Sequence, residues 1–174
     1  VLVGKERPDV GRPDDVGYPV RGIFKGEYLY LRNFKPDRWP AGNPETGYLN
    51  TDGSPTKTYI LDTRRKKGVL DFWQFNFGKR PAEELYNIKS DPYCMNNLVD
   101  VENFDDIKAK LAGELTKRLE EQNDPRILGN GDVFDNYEYS GAVRNYYNRY
   151  MSGEDVPAGW VNESDFEKDS LFPN

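Results

Sequence analysis

Apolar residues recur at helical spacing in one long segment of the chain, residues 104–121. Steps of three or four residues separate the members of a single apolar stripe, which predicts an amphipathic helix; they are Phe104, Ile107, Leu111, Leu115 and Leu119. Asn103 is the expected cap of the first turn, because its side chain can accept a hydrogen bond from a free backbone N–H there. The Asn-Asp-Pro run at 123–125 predicts the end of the helix.

Shorter segments have the composition of strands. Residues 20–24 and 27–33 are rich in branched and aromatic side chains on either side of Lys25-Gly26, which predicts a hairpin. Residues 84–88 predict another strand, and residues 1–4 have the composition of the end of a buried strand. Residues 68–78 and 143–151 predict short helices.

The order of these elements predicts an α+β fold, in which a small antiparallel sheet packs against one long amphipathic helix. The 12 prolines and 16 glycines imply long irregular loops, which we expect over residues 4–19 and 34–57. The segment after residue 128 lacks periodicity. Its aromatic residues Trp160, Phe166 and Phe172 predict that it packs onto the protein, because a disordered tail rarely carries so many.

Composition excludes several kinds of active site. The chain has no histidine and one cysteine, Cys94. This excludes a Ser-His-Asp triad, a Cys-His dyad, an internal disulfide and an ordinary zinc site. The net charge of −6 argues against a general binder of nucleic acid or of anionic membranes. A carboxylate pair or an all-oxygen calcium or magnesium site stays open.

Three stretches of the sequence carry a recognisable pattern. The first joins Gly-Tyr-Pro-Val-Arg-Gly-Ile at 17–23, Tyr-Leu-Tyr-Leu-Arg-Asn-Phe at 28–34 and Pro-Asp-Arg-Trp-Pro-Ala-Gly at 36–42. The second joins Arg-Pro-Ala-Glu-Glu-Leu-Tyr at 80–86, Asp-Pro at 91–92 and Asn-Asn-Leu at 96–98, and the third is the helix that ends in Asp-Pro-Arg at 124–126. In order and spacing, over roughly residues 4–136, the chain resembles the C-terminal subdomain of bacterial sulfatases related to heparan N-sulfatases, in the alkaline-phosphatase-like superfamily.

The resemblance implies a fold and an activity. Such sulfatases hydrolyse sulfate esters or sulfamates with a formylglycine and Ca²⁺ held by an N-terminal catalytic domain, and their C-terminal subdomain has a four-stranded antiparallel sheet and a packed helix. By this resemblance residues 1–128 are that subdomain, with the helix at 104–121, and residues 129–174 are an irregular aromatic-rich tail. The expected partners are the catalytic domain and a sulfated saccharide, not nucleic acid or a membrane. The expected location is periplasmic or extracellular.

The catalytic centre is expected in a missing upstream part. Sulfatases make formylglycine from Cys or Ser in a Cys/Ser-x-Pro/Ala-x-Arg motif, but Asn96 and Leu98 follow Cys94 where Pro or Ala and Arg are required. Cys94 is therefore not the nucleophile, and the family's paired aspartate ligands have no counterpart in order. We predict no catalytic residue, metal site or cofactor in this chain, and no activity for the chain alone.

Because the catalytic centre is expected elsewhere, this chain is expected to contribute contacts at the rim of the substrate pocket. In relatives a loop reading Gly-Lys/Arg-Glu-Arg-His lies near the pocket mouth, and residues 4–7 match it, whereas Pro8 replaces the histidine and puts the relatives' substrate in doubt. Lys5 and Arg7 are candidates to bind a sulfate or a sugar carboxylate, which suits the donors of arginine. Solvated loop charges are the alternative.

Two more side chains are candidate substrate contacts. Arg21 lies at the start of a predicted strand, where a structural ion pair is equally open. Trp39 would stack on a sugar ring, or else pack within its proline-rich loop. Other clusters have simpler interpretations as turns, a helix start, a solvated loop or packing; they are Asp14-Asp15, Asp105-Asp106, the basic run 64–67, and Tyr146, Tyr147 and Tyr150.

Two alternative functions stay open. A stand-alone carbohydrate-binding module would use the tyrosines and tryptophans and bind sulfated glycans. A purely structural subdomain would cover the main domain with an exposed sheet face, and would carry an apolar patch of a few hundred Å².

Overall fold

The computed structural model describes residues 1–7 and 10–167 of the chain. These residues form two compact units that interleave along the sequence. The sheet unit comprises Val1–Arg7, Tyr18–Pro36 and Arg80–Asn136, and the aromatic unit comprises described residues 10–17, 37–79 and 137–167. Pro8 and Phe172 lie outside the described residues. The boundary at residue 128 stays a prediction.

The sheet unit contains a four-stranded antiparallel sheet in the order β1-β2-β3-β4. Its strands are β1 (Leu2–Lys5), β2 (Val20–Lys25), β3 (Tyr28–Asn33) and β4 (Glu83–Asn87). Gly26 and Glu27 form the turn between β2 and β3, one residue later than predicted, because Gly26 takes the positive φ of 63° that this turn requires. The sheet and its helix confirm the predicted α+β fold.

The first strand differs from its prediction in two respects. It continues to Lys5, so the irregular segment expected from residue 4 begins later. It is also an edge strand, paired with β2 only. Val3 is 41% exposed, and the burial expected of this strand is therefore wrong.

Helix α3 (Asp105–Glu121) packs against one face of the sheet. Three leucines of the predicted stripe are buried against Ile23, Tyr30 and Leu85; they are Leu111, Leu115 and Leu119. Asn103 is not the cap, because it lies inside a 3-10 turn that precedes the helix, and Phe104 occupies the cap position with no side-chain hydrogen bond.

The aromatic unit contains the other three helices: α1 (Pro55–Lys67), α2 (Asp71–Asn76) and α4 (Tyr146–Met151). Helices α2 and α4 lie within segments predicted to be helical. Helix α1 was not predicted, and the expectation of a loop through residue 57 and at the basic run 64–67 is wrong. Ser54 caps α1 by accepting from the amide of Lys57, and Gly68 ends it in the left-handed region.

Aromatic side chains form much of the core of this unit. The indole of Trp73 donates to the hydroxyl of Tyr48 at 2.9 Å, and the ring of Tyr48 lies 4.6 Å from that of Phe77. Phe166 packs against a second cluster, and Trp160 donates to the carbonyl of Leu49 at 2.9 Å. The expectation that this segment packs is confirmed at Phe166, whereas Trp160 is 38% exposed and is held by its hydrogen bond. None of the helices in residues 1–7 and 10–167 is long and apolar enough to cross a bilayer.

Candidate functional site

The segment that leaves β1 is held by a group of ion pairs around Glu6. One carboxylate oxygen of Glu6 accepts from Nη2 of Arg21 at 2.8 Å. The other accepts from Nε and Nη2 of Arg126 at 2.9 and 2.6 Å. Such charge-assisted bonds are stronger than neutral ones. We call Glu6, Arg21, Asp124 and Arg126 the Glu6 cluster.

Arg21 connects the edge of the sheet to the segment that follows α3. It lies on β2 opposite Gly4. A Cβ atom added to Gly4 would be 2.7 Å from the carbonyl oxygen of Val20 and 3.2 Å from Cδ of Arg21. Its Nε donates to Asp124 at 2.8 Å and its Nη1 to the carbonyl of Lys5 at 3.2 Å. Burial alone would lower the pKa of Arg21, but Asp124 and Glu6 outweigh burial and raise this pKa.

Arg126 is the most buried member of the Glu6 cluster, with a side chain 3% exposed. Its Nη1 donates to Asp132 at 3.1 Å, and its guanidinium lies 5.6 Å from the ring centroid of Phe134. The backbone amide of Arg126 donates to Asp124 at 2.9 Å, so the turn after α3 fixes both residues. The Asp-Pro-Arg motif therefore has a structural role in the sheet unit.

Lys5 and Arg7 lie on either side of Glu6 in the sequence, and each has contacts of its own in the sheet unit. Lys5 is exposed at the end of β1, and its Nζ lies 5.9 Å from the ring centroid of Tyr18. Arg7 is half-buried and donates to the carbonyl of Phe134 at 3.0 Å. The last residue of β1 and the two that follow it thus have defined contacts, and two of these three residues are cations suited to bind an anion rather than to transfer protons.

Trp39 belongs to the aromatic unit. Its ring meets that of Trp73 edge-on at 6.1 Å, and Nζ of Lys79 lies 5.2 Å from its centroid. The buried Arg12 donates to the Trp39 carbonyl at 2.7 Å. Of the predicted substrate contacts, Arg21 bonds to Glu6, Lys5 and Arg7 contact Tyr18 and Phe134, and Trp39 has packing contacts in the aromatic unit.

Cys94 and the adjacent aspartates Asp14 and Asp15 lie in turns and have local contacts. Cys94 lies in a turn with a φ of 53°, and burial followed by the charges of Asp91 and Glu84 raises the pKa of its thiol. Within residues 1–7 and 10–167, no group of three or more His, Cys, Asp or Glu could hold a metal ion. Asp14 and Asp15 accept from Asn148 and from the amide of Asn145.

The remaining charged and aromatic clusters have structural contacts. Arg64 pairs with Glu167 at 2.7 Å, and Lys66 with Asp62 at 2.7 Å. Asp105 pairs with Lys108 at 2.8 Å in the first turns of α3. Two of the three clustered tyrosines, Tyr146 and Tyr150, pack in a core cluster, as predicted.

Two features of the structure were not predicted from the sequence. Glu6 belongs to the Gly-Lys-Glu-Arg motif, but its pairing with Arg126 joins residues 120 positions apart, which no local sequence pattern indicates. The burial of Lys57 was also missed. Its only signal is its place three residues after the capping Ser54, in the first turn of α1.

Comparison with known proteins gives one distant relationship. No family model matches the chain. A stretch of 107 residues is 27% identical to the Ulvan-active sulfatase of Formosa agariphila, covering 62% of this chain and 18% of that protein. The chain is thus related to a sulfatase at a distance, and the match spans less than a fifth of the relative's length.

Proposed function

We propose that this chain is the C-terminal part of a sulfatase that hydrolyses sulfate esters or sulfamates of a sulfated saccharide. The observation that carries the proposal is the 107-residue match to a sulfatase named for its activity on ulvan. The fold agrees with it, because the sheet and α3 have the form that the resemblance implies. A periplasmic or extracellular location belongs to the same proposal.

The residues of this chain serve at the rim of the substrate pocket. Lys5 and Arg7 project from a segment that the Glu6 cluster fixes at consecutive residues. A fixed cation binds an anion with a smaller loss of side-chain entropy than a mobile one, which favours sulfate or carboxylate recognition here. Arg21 holds this segment in place, and Trp39 stays a candidate for stacking on a sugar.

The catalytic groups come from another part of the enzyme. There, a formylglycine made from a Cys or Ser side chain would supply the nucleophile, and a bound Ca²⁺ would stabilise the charge of the sulfate. The residues that follow Cys94 do not match the motif from which a formylglycine is made, because Asn96 and Leu98 stand where Pro or Ala and Arg are required. This chain orients substrate and completes the scaffold.

The catalytic domain packs against the sheet face opposite α3. That face carries Val3, Phe24, Leu29 and Leu31, of which Val3 is exposed and the other three are half-buried. Gly22 lies among them and leaves room for Leu31, whose Cδ2 would be 2.5 Å from a Cβ atom at that position. An apolar face of this kind is stabilised when a partner domain removes it from water.

Sulfate release by the full-length protein tests the proposal. We expect the enzyme encoded with its upstream sequence to release sulfate from a sulfated saccharide, and the 174 residues alone to release none. Lys5→Ala and Arg7→Ala in the full-length enzyme should each raise KM about fivefold with little change in kcat, because each removes one charged contact to the bound substrate. Lys110→Ala, an exposed lysine on α3, is the matched control.

The possible results separate the parts of the proposal. Turnover by the 174 residues alone would overturn the assignment of the catalytic centre. An active full-length enzyme in which Lys5→Ala, Arg7→Ala and Lys110→Ala behave alike would remove the rim contacts and leave the sulfatase assignment standing. A full-length protein without sulfatase activity would remove the assignment itself.

A further inference from the structure

The 3-10 turn Gly131–Asn136 follows α3 in the sequence and belongs to the sheet unit. It touches a predicted substrate contact, because the carbonyl of Phe134 accepts from Nη1 of Arg7 at 3.0 Å. Asp132, in the same turn, pairs with Lys35 at 2.9 Å. We call residues 131–136 the Gly131 turn. The direction of the Arg7 side chain therefore depends on where this turn lies.

Arg126 holds the Gly131 turn with one part of its guanidinium and Glu6 with another. Its Nη1 donates to Asp132 at 3.1 Å, and its guanidinium carbon lies 5.6 Å from the ring centroid of Phe134. Its Nε and Nη2 donate to Glu6, the residue before Arg7, at 2.9 and 2.6 Å. One side chain thus contacts both the segment that carries Arg7 and the turn that accepts its hydrogen bond.

Gly131 brings the backbone of the turn directly against Arg126. A Cβ atom added to Gly131 would be 2.2 Å from Cδ and 2.9 Å from Cα of Arg126. The Cα atom belongs to the backbone, so it cannot move aside as the end of a flexible side chain could. Gly131 is not one of the glycines with a positive φ, so a lack of space excludes a side chain here. Adding one methyl group would push the turn away from Arg126.

Burial makes Arg126 a fixed point in this part of the sheet unit. Its side chain is 3% exposed and that of Glu6 is 18% exposed, so water competes little for their charge-assisted hydrogen bonds. A planar guanidinium whose Nε, Nη1 and Nη2 all donate to carboxylates has little freedom to rotate. Arg126 is therefore a rigid support between Glu6 and the Gly131 turn.

We propose that Arg126 and the Gly131 turn position Arg7 to bind a second anionic group of the substrate, apart from the sulfate that is released. The inference rests on the proposed function, in which the catalytic groups of another part hold the released sulfate. A fixed guanidinium presents parallel donors that fit a sulfate or a carboxylate, so Arg7 selects saccharides that carry such a group. Arg126 does not touch the substrate and is a positioning residue.

Nuclear magnetic resonance of the 174-residue chain tests the positioning without any substrate. We expect an order parameter of about 0.8 for the Nε–H group of Arg7 and one below about 0.6 for Arg118, whose side chain on α3 is 40% exposed. Gly131→Ala should lower the value of Arg7 to that of Arg118. Gly113→Ala is the matched control on α3, where nothing lies within 4 Å of the added atom, and it should leave Arg7 unchanged.

Kinetics of the full-length enzyme test the role in binding, with a sulfated disaccharide that carries a uronate carboxylate as the substrate. Gly131→Ala should raise KM about threefold with little change in kcat, and Gly113→Ala should change neither. In the Arg7→Ala background, whose KM is already raised about fivefold, Gly131→Ala should add nothing, because its effect passes through Arg7. Independent effects would instead multiply to about fifteenfold.

Arg126→Lys is a second variant that keeps the charge and removes the planar fork. It should raise KM about threefold when Arg7 is present and leave KM unchanged in the Arg7→Ala background. This variant carries the test if Gly131→Ala does not fold, because it adds no atom between the turn and the backbone of Arg126.

Three results would count against the proposal. An Arg7 side chain as mobile as that of Arg118 in the unsubstituted chain would overturn the positioning. A KM raised about fifteenfold in the double variant would reduce the Gly131 turn to a structural element. A folded full-length protein that releases no sulfate would remove the proposed function and the substrate role of Arg7, whereas the order parameters would still decide whether the turn fixes this side chain.

Discussion

The sheet unit and the aromatic unit satisfy their buried polar groups in different ways. In the sheet unit the backbone is paired in the ladders of four strands and in the long helix α3. Its buried arginine, Arg126, pairs with carboxylate side chains around Glu6, and the buried Glu84 accepts from the side chains of Asn33 and Tyr86. In the aromatic unit the helices are shorter, and the buried cations bond to backbone carbonyls instead.

Lys57 shows this second arrangement most clearly. Its ammonium donates to the carbonyls of Gly47 at 2.7 Å and Thr51 at 2.6 Å, and lies 3.5 Å from Asp165. The Lys57 and Asp165 side chains are 2% and 0% exposed. Burial lowers the pKa of Lys57, and Asp165 opposes that shift. Backbone carbonyls in irregular segments have no neighbouring strand to donate to them. They can still be buried when a side-chain cation donates the hydrogen bonds that a strand would otherwise supply.

Lys57→Met is expected to have the largest effect, and it acts on the aromatic unit. The substitution leaves the buried carboxylate of Asp165 without its cation and two buried carbonyls without their donor, which should lower the free energy of unfolding by about 3–5 kcal/mol. Tryptophan fluorescence during urea unfolding reports on this unit, because Trp39, Trp73 and Trp160 all belong to it. Lys67→Met, an exposed lysine of α1, should change little, and equal effects of the two would contradict the role given to Lys57.

Arg126→Leu is the corresponding change in the sheet unit. It removes two charge-assisted bonds to Glu6. Glu6 keeps Arg21 and is 18% exposed, so water and a second arginine limit the loss to about 2 kcal/mol. Urea unfolding followed by far-ultraviolet circular dichroism measures it. Arg118→Leu, on the exposed side of α3, is the control, and a loss larger than that of Lys57→Met would reverse the proposed contrast.

The elements that the sequence predicts are those in which apolar residues recur at a regular spacing. Helix α3 and the β2–β3 hairpin follow from apolar spacing and from Gly26, because one face of each packs on the same core. Helix α1 lacks such a stripe. Of its 13 residues only Leu61 and Lys57 are buried, and lysine is among the residues least expected in a core.

The sequence names candidate substrate contacts but does not indicate which residues pair with one another. Lys5, Arg7 and Arg21 are named from motifs, and of the three it is Arg21 whose side chain bonds to Glu6; their role as substrate contacts stays a prediction. Arg126, which also pairs with Glu6, comes from a segment 120 residues further along the chain than Glu6. Such a pairing is set by the packing of α3 against the sheet, which one sequence without its fold does not reveal.

Alkaline pH should weaken both units through buried tyrosines. Burial is the main cause that raises the pKa of Tyr30, Tyr48 and Tyr86, and Glu83 and Glu84 add to it for Tyr30 and Tyr86. The folded state therefore keeps protons that the unfolded chain loses near pH 10, so this stability is present below about pH 10 and is lost as pH rises above it, by about 1.4 kcal/mol per tyrosine and pH unit.

Urea midpoints measured across this pH range test the effect. Tyr86→Phe should make the decline shallower, whereas Tyr93→Phe should not, since Tyr93 is exposed. Ultraviolet absorbance of the folded protein gives an independent check. Ionisation of all 12 tyrosines at their ordinary pKa, without unfolding, would contradict the assignment.

The smallest expected effects concern the starts of the two longest helices, and they sharpen the contrast between the units. Ser54 accepts from the amide of Lys57 at 3.1 Å at the start of α1, so Ser54→Ala should cost about 1 kcal/mol. Asn103 caps nothing at the start of α3, so Asn103→Ala should change stability by less than about 0.5 kcal/mol. Urea unfolding of both variants decides the question. A larger loss for Asn103→Ala would mean that α3 begins at the asparagine, as its sequence suggests, and that its start depends on a cap rather than on the leucines packed against the sheet.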